Sequence, residues 1–353
     1  MKNKYNYMKY RTLGKTGIKS SILGFGAMRL PTIDNNPEHV DINETEMMIE
    51  YAINHGVNIF DTAWVYHTTD RSKPGVSETI LGDILSRGFY DKVHISTKMP
   101  SWEIKSWEYF DTTLDKQLER LKTDTIDLFF VHSIKDSFYE NIKEGGLYEF
   151  VDRAISDGRI KHVCFSTHGS YELLNQILDD YDKWECVLTQ LNYLDETDNT
   201  GLRGVEKINK LGLGTIIMEP LRGGKLAQKQ PSTVQEIFKK SSKSYTPLEW
   251  AFNYLWDKKE VNCVLSGMSS LEQVKENIKL VDKTEIGILS DDDKKILRQV
   301  KEEYDNLNHI KCTSCNYCMP CPHGVNIPKC FREYNMDLLG DETINSIQYK
   351  FHM

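Results

Sequence analysis

Ile126-Asp127-Leu128-Phe129-Phe130-Val131-His132 is a strongly apolar run closed by a histidine, and two shorter runs upstream repeat its form. Val57-Asn58-Ile59-Phe60 leads into Asp61, and Val93-His94-Ile95-Ser96 leads into Lys98. Each reads as a buried strand, and the segments between them carry helical periodicity. A strand–helix–strand–helix–strand rhythm produces a parallel sheet. If that sheet closes into a barrel, its strand ends open on one face. Asp61, Tyr66, Lys98 and His132, far apart in the chain, then meet in one pocket equipped for proton transfer.

Working outward from these runs, the same alternation continues. A first strand occupies residues 21–26, preceded by a hairpin around Leu13-Gly14-Lys15-Thr16-Gly17. Helices are predicted over 44–55, 77–85 and 106–121, the last with Phe110, Leu114, Leu118 and Leu121 on one face. Further strands read at 160–166, 187–192, 215–218 and 262–265, alternating with helical stretches near Tyr148, Tyr171, Val205, Leu248 and Leu271. The fold class is α/β: a (β/α)8 TIM barrel over residues 8–285, followed by a small C-terminal module over 286–353. Gly24-Phe25-Gly26-Ala27-Met28-Arg29 starts like a dinucleotide fingerprint, but Arg29 stands at the third glycine and no helix follows directly. The Rossmann reading fails on that context.

Composition narrows the class. The chain has 353 residues, 44 basic against 52 acidic, for a net charge of -8. There is no dense basic block, which argues against a nucleic-acid partner. No apolar run approaches the ~18 residues of a membrane span, and Met1-Lys2-Asn3-Lys4-Tyr5-Asn6-Tyr7 lacks the apolar core of a signal peptide. The expectation is a soluble, cytoplasmic protein with no membrane partner.

Cysteine usage is split. Cys164, Cys186 and Cys263 lie singly in strand-like segments and read as small buried hydrophobes. Cys312, Cys315, Cys318, Cys321 and Cys330 crowd into nineteen residues near the end. Lys311-Cys312-Thr313-Ser314-Cys315-Asn316-Tyr317-Cys318-Met319-Pro320-Cys321-Pro322 steps by two residues between successive cysteines and ends in Cys-Pro. Zinc sites use such pairs with a much longer intervening loop. The run resembles the bacterial ferredoxin [4Fe-4S] pattern, one residue short before the final Cys-Pro. Cys312, Cys315 and Cys318 are three ligands on this reading. Cys321 is the favoured fourth, with Cys330 as its rival and zinc as the alternative metal.

Phe60-Asp61-Thr62-Ala63 with Tyr66, Ser96-Thr97-Lys98, the run ending at His132, Gln190-Leu191-Asn192-Tyr193, and Gly267-Met268-Ser269-Ser270-Leu271-Glu272-Gln273-Val274-Lys275-Glu276-Asn277 together resemble the aldo-keto reductase family, in order, across the barrel. The resemblance implies NAD(P)H-dependent reduction of a small aldehyde or ketone. Tyr66 would be the proton donor, Lys98 would lower its pKa, Asp61 would pair with Lys98, and His132 would orient the carbonyl and hold the oxyanion. Ser166 and Gln190 would hold the nicotinamide carboxamide and Tyr193 would stack on the ring. This chain reads Ser166-Thr167-His168 where many members place asparagine after the serine. Gly26, Met28, Met218, Pro220 and Leu221 would line the cofactor. The glycine-rich turn with Gly223 and Lys225 suits a pyrophosphate. Gly267, Gln273, Glu276 and Asn277 would face the adenosine, where the absence of a cation at Gly267 and Gln273 leaves NADP and NAD level.

The tail, with Cys318-Met319-Pro320-Cys321-Pro322 before Gly324-Val325-Asn326-Ile327-Pro328, is similar to an aldo-keto reductase subgroup carrying a C-terminal ferredoxin-type [4Fe-4S] segment. Two other functions stay open: a cluster-linked oxidoreductase exchanging electrons with a protein partner, and a nucleotide-binding redox sensor or regulatory subunit. The polar segment 67–76 beside Tyr66 is expected to be mobile and to shape substrate access. Asp291-Asp292-Asp293 is expected to open a helix, and the lysines of 239–243 to sit in a solvated loop.

Overall fold

The computed structural model describes residues 8–34, 36–103, 106–307, 310, 318 and 321–338. A hairpin of β1 (Tyr10–Thr12) and β2 (Lys19–Ser21) comes first. The strands β3 (Leu23–Gly26), β4 (Ile59–Asp61), β5 (His94–Pro100), β6 (Ile126–Ile134), β7 (Ile160–Thr167), β8 (Cys186–Gln190), β9 (Gly214–Met218) and β10 (Cys263–Gly267) then close a barrel in sequence order. Neighbouring barrel strands pair in parallel, with β10 returning to β3. A parallel barrel is covered on both faces, which is why β6 reads as a nearly continuous apolar run rather than an alternating one.

The intervening helices are α1 (Ile42–Asn54), α2 (Ser77–Leu85), α3 (Trp107–Leu121), α4 (Tyr139–Glu144), α5 (Leu147–Ser156), α6 (Tyr171–Asp180), α7 (Gly201–Lys210), α8 (Ser232–Phe238), α9 (Pro247–Trp256) and α10 (Leu271–Val281). After the barrel come α11 (Asp291–Leu307) and α12 (Ile327–Leu338). Side-chain caps fix several starts. Asp41 accepts from the Glu44 amide at 3.0 Å, and Ser170 from that of Leu173 at 3.1 Å. Among the described residues, no helix is long and apolar enough to cross a membrane.

Packing divides the chain into two compact units. One holds the chain through Leu191, Asp195–Pro220 and Leu255–Ile286, and so contains the whole barrel. The other holds Asn192–Leu194, Leu221–Tyr254 and the chain from Gly287. Within the first unit, the hairpin turn packs against β9. Gly14 has φ +48°, and a Cβ there would lie 2.0 Å from the Gly214 nitrogen, so the approach needs a bare backbone. Leu13 and Ile18 join Ile59, Leu128, Phe130, Cys164, Cys186, Leu188, Ile216 and Cys263 in one buried core. The three barrel cysteines thus have the packing role expected of them.

Several boundaries differ from the sequence reading. The first strand splits, because Ser21 belongs to the hairpin and its hydroxyl donates to the Leu23 carbonyl at 2.7 Å. The strand expected through Asn192 ends at Gln190. Asn192 instead accepts the Leu194 amide on its own side-chain oxygen at 3.0 Å, and such a local turn ends a strand. The segment 67–76, expected to be mobile, is anchored at its start, while residues 71–74 are exposed. His67 accepts the Leu30 amide at 3.0 Å while its other nitrogen meets the Pro37 carbonyl at 2.7 Å, and the Thr69 amide donates to Glu38 at 2.7 Å.

In the second unit, α11 starts at Asp291 as the acidic run suggested, with a reciprocal cap. The Ser290 hydroxyl accepts the Asp293 amide at 3.2 Å, and Asp293 accepts the Ser290 amide at 3.0 Å. Lys243 is not a solvated loop residue. It pairs with Asp293 at 3.3 Å and donates to the Ile288 carbonyl at 2.5 Å.

Candidate active site

The ends of β4, β5 and β6 bring Asp61, Lys98 and His132 to one place, and the turn after β4 adds Tyr66. Lys98 is 1 % exposed and Asp61 3 %. The Lys98 ammonium donates to Asp61 Oδ2 at 2.5 Å, to the Thr62 carbonyl at 2.7 Å and to the Tyr66 hydroxyl at 3.1 Å. Those three bonds use all three of its hydrogens. An ammonium cannot accept, so Tyr66 must receive in that bond, and its own phenolic hydrogen stays available for another acceptor. The Ser96 hydroxyl holds Asp61 Oδ1. The Trp64 amide donates to the Lys98 carbonyl at 3.2 Å, fixing the turn that carries Tyr66.

His132 meets the Tyr66 ring edge-on, centroids 6.1 Å apart, and the Trp102 ring centroid lies 5.3 Å away, tilted by 54°. Its orientation comes from an irregularity in β6. The pairing with β7 shifts between Val131 and Ile134, and Ser133 takes φ +53°. The Ser133 amide donates to Ser166 Oγ at 2.7 Å, and Ser101 holds the His132 carbonyl. A bulge of this kind re-aims a side chain at a barrel rim. His132 Nδ1 is buried with no hydrogen-bond partner among the described residues.

Burial dominates the electrostatics. It pushes the Asp61 carboxyl up, against the pull of Lys98 and Ser96. It lowers Lys98, but Asp61 and Tyr66 outweigh it and hold the ammonium above its ordinary range. Burial also raises the Tyr66 phenol, with Lys98 pulling it down and Asp61 and Glu219 pushing it up. The sequence reading had Lys98 lowering that pKa. Its pull has the expected sign, but burial exceeds it and the net shift is upward. His132 falls well below its usual range through burial and the nearby Lys98, His168 and Arg71 charges, so its imidazole is neutral at neutral pH.

The other site residues fall in different settings. In the barrel unit, Gly26 pairs with Gly267 where β3 meets β10, and Met28 beyond it is 54 % exposed. Ser166 is buried, with its oxygen engaged by Ser133. Gln190 is held from both sides: its amide donates to Asp195 at 3.0 Å and accepts from Asn199 at 3.1 Å. Met218 ends β9 and is partly buried, and Pro220 is buried. Gln273 accepts the Ser269 amide at 2.8 Å, Glu276 is exposed, and Asn277 is buried and donates to Ser266 at 2.9 Å. In the other unit, Tyr193 is 1 % exposed and edge-on to Tyr254, its hydroxyl unpartnered among the described residues. Leu221 and Lys225 are partly buried there, on a turn in which Gly223 and Gly224 take φ +72° and +97°.

Three contributors escaped the sequence reading. Ser96 belongs to a strand and to the Ser96-Thr97-Lys98 motif but carries no assigned role in the sequence, although it holds Asp61. Trp102 beside His132 carried no motif. Arg29, which stands where the Rossmann pattern wants its third glycine, lies against Gly267: a Cβ there would be 3.1 Å from Arg29 Cδ. A cation therefore stands where the chain around Gly267 and Gln273 offered none.

Of the expected metal ligands, Cys312 and Cys315 lie outside the described residues. Cys318 is exposed, Cys321 and Cys330 are partly buried, and none of the three is in a disulfide. Cys330 sits in the first turn of α12, where its amide donates to the Asn326 carbonyl at 2.9 Å. Among the described residues, no three or more His, Cys, Asp or Glu are grouped to hold a metal ion.

Comparison with known proteins bears on the fold and the family. L-galactose dehydrogenase of Arabidopsis thaliana is 26% identical over 300 residues, spanning 79% of this chain and 89% of that protein. The 6-dehydroglucose reductase of Novosphingobium aromaticivorans is 28% identical over 233 residues, 63% of this chain and 71% of its own. The solved structure of an aldo-keto reductase from Bacillus halodurans in its holo form superposes with a TM-score of 0.68 at 22% identity, covering 83% of this chain and 96% of that one. The model of the Aldo/keto reductase family matches residues 22–302. The chain belongs to the aldo/keto reductase family and is an NAD(P)-dependent oxidoreductase.

Proposed function

We propose that this protein reduces the carbonyl of a small aldehyde or ketone, with Tyr66 delivering the proton. The observation that carries the reading is the bonding of Lys98. With its three hydrogens committed to Asp61, Thr62 and Tyr66, it leaves the phenol as the group with a free acidic hydrogen beside a neutral histidine. Lys98 stabilises the phenolate left after transfer and thereby lowers the cost of losing that proton. His132, neutral and aimed by the Ser133 bulge, has an N–H to place on the carbonyl oxygen as charge develops there. Trp102 packs against that imidazole with ring centroids 5.3 Å apart. The relatives named for sugar-derived substrates make hydroxylated aldehydes the first compounds to try.

The barrel unit has features that suit a nicotinamide nucleotide. The β3 and β10 ends present bare backbone at Gly26 and Gly267, where a Cβ on Gly26 would lie 3.3 Å from the Ser266 carbonyl oxygen. Arg29 beside Gly267 supplies a cation for phosphate. When bound, the nucleotide supplies the hydride. Ser166, whose oxygen already accepts from Ser133, still has its own hydrogen to donate, and Asp195 and Asn199 hold the Gln190 amide in one orientation.

We read residues 8–285 as the catalytic barrel and 286–353 as an appended segment holding a [4Fe-4S] cluster. Five cysteines in nineteen residues supply the soft thiolate donors that such a cluster takes. Cys312, Cys315, Cys318 and Cys321 would hold it, and a protein electron partner would follow if it is redox-active. An anaerobic absorbance spectrum with iron and sulfide counts tests this directly.

The catalytic reading is tested by Tyr66→Phe, which removes the phenolic proton and little volume. Cofactor affinity by fluorescence titration should stay at the wild-type value, while reduction of an aldehyde panel falls by ~10²–10⁴-fold, the usual worth of a positioned general acid. Wild-type turnover by Tyr66→Phe would remove Tyr66 from the mechanism.

A further inference from the structure

Behind the Tyr66–Lys98 pair, inside the barrel unit, lies a buried carboxylate that the chemistry above does not use. Glu78, in the first turn of α2, is 0 % exposed. Its Oε1 accepts from Thr97 Oγ1 and from Gln117 Nε2, each at 2.6 Å, and its Oε2 accepts from Arg120 Nε at 3.0 Å. A buried ion pair of this kind is weak evidence for stability, because desolvating the charges offsets their attraction. What distinguishes this one is where its two arms end.

The Gln117 arm ends on the strand that carries the ammonium. Gln117 Nε2 lies 3.1 Å from Thr97 Oγ1 and 3.2 Å from the Lys98 carbonyl. The Arg120 arm ends on the turn that carries the phenol. Its guanidinium donates to the Gly75 carbonyl and lies 5.7 Å from the Trp64 ring centroid. Gly75 is pressed so closely against Tyr66 that a Cβ would fall 1.9 Å from the Tyr66 carbonyl oxygen, and the Gly75 amide donates to the Trp64 carbonyl at 2.7 Å. Ser77, the residue before Glu78, closes the loop. Its amide donates to the Tyr66 carbonyl at 3.3 Å, and its hydroxyl lies 2.8 Å from that of Thr62, whose carbonyl receives Lys98.

We propose that Glu78, Gln117 and Arg120 are positioning residues that hold Tyr66 and Lys98 at their working separation, a role that rests on the proton-donor reading above. None of the three touches the reacting groups. They fix the backbone on both sides of the pair through one shared carboxylate, so loss of Glu78 loosens both ends, and loss of Gln117 or Arg120 loosens the end that its own arm holds. Geometry of this kind matters because a displacement of ~1 Å at a catalytic pair costs about a hundredfold in rate.

The test uses the full-length protein with Glu78→Gln and Gln117→Met, the second removing the donors without changing charge or much volume. Expected for each is a kcat down by about a hundredfold, with cofactor affinity by fluorescence quenching and substrate KM little changed. A looser Lys98 stabilises the phenolate less, so the descending limb of kcat against pH should move to higher pH as the plateau falls. A purely structural role would lower Tm and leave kcat per folded molecule and the pH limb where they were, and that result overturns the proposal. Should Glu78→Gln fail to fold, Gln117→Met carries the same comparison. Tyr66→Phe is run alongside. An inactive Tyr66→Phe beside a fully active Gln117→Met overturns the positioning role alone, whereas an active Tyr66→Phe overturns the proton-donor reading and the positioning role with it.

Discussion

Lys98→Met tests whether the buried pair is ionised and what it is worth. The substitution keeps the length of a side chain that is 1 % exposed while removing its charge. Asp61 Oδ2 then loses its donor at 2.5 Å, and the Thr62 carbonyl loses one at 2.7 Å, leaving only Ser96 on the carboxylate. Removing one partner of a buried ion pair costs ~3–5 kcal/mol, most of it from the charge left behind. Adding Asp61→Asn removes that charge, so the double variant should regain about half of the loss. The sign with pH follows from Asp61. Burial already pushes its carboxyl up against the pull of Lys98, and without Lys98 it rises further. A carboxyl whose folded-state pKa lies above its unfolded value binds more protons when folded. Its stabilising contribution is therefore full below the unfolded pKa and is lost as pH rises through the folded one. Lys98→Met should be markedly less stable at about pH 8 than at about pH 5, and the double variant should lack that slope. Urea unfolding followed by circular dichroism at both pH values measures it. A Lys98→Met protein with the wild-type midpoint at both would show that Asp61 carries no uncompensated charge and that the pair is not the ion pair drawn here.

Two further tests address the cofactor and the tail. If Arg29 reads a phosphate beside Gly267, Arg29→Glu should weaken NADPH binding relative to NADH by about tenfold or more, as for one lost charge-assisted hydrogen bond, and unchanged relative affinities would exclude Arg29. Serine substitution of Cys312, Cys315, Cys318 and Cys321 should each give iron-poor protein under anaerobic purification while Cys330→Ser keeps its iron. Full iron in Cys321→Ser with loss in Cys330→Ser would exchange the fourth ligand, and zinc with no absorbance near ~400 nm in any variant would replace the cluster with a zinc site.

What could be read from the chain follows the range of each interaction. The barrel was legible because parallel strands buried on both faces leave continuous apolar runs, and β4, β5 and β6 each carry a residue with obvious chemistry, Asp61, Lys98 and His132, within their last three positions. The reading overshot at β8 because Asn192 stops the strand with its own side chain, a local competition that apolar content does not register. Asp61, Tyr66, Lys98 and His132 could be grouped because barrel topology gathers strand ends, and that follows from strand order alone. The balance of their charges could not be anticipated, since the net rise of Tyr66 depends on how much protein surrounds it rather than on Lys98 being near. Glu78 shows the same limit more sharply. In sequence it is one acidic residue at a helix start, a position where carboxylates are common for local reasons. Its fully buried setting, with partners on β5 and α3, turns a local preference into a long-range constraint. Arg29 and Gly267 lie near opposite ends of the barrel sequence and touch because β10 closes on β3. The residues that do chemistry were announced by their types and order, whereas those that aim them are ordinary residues made specific by the closing of the barrel.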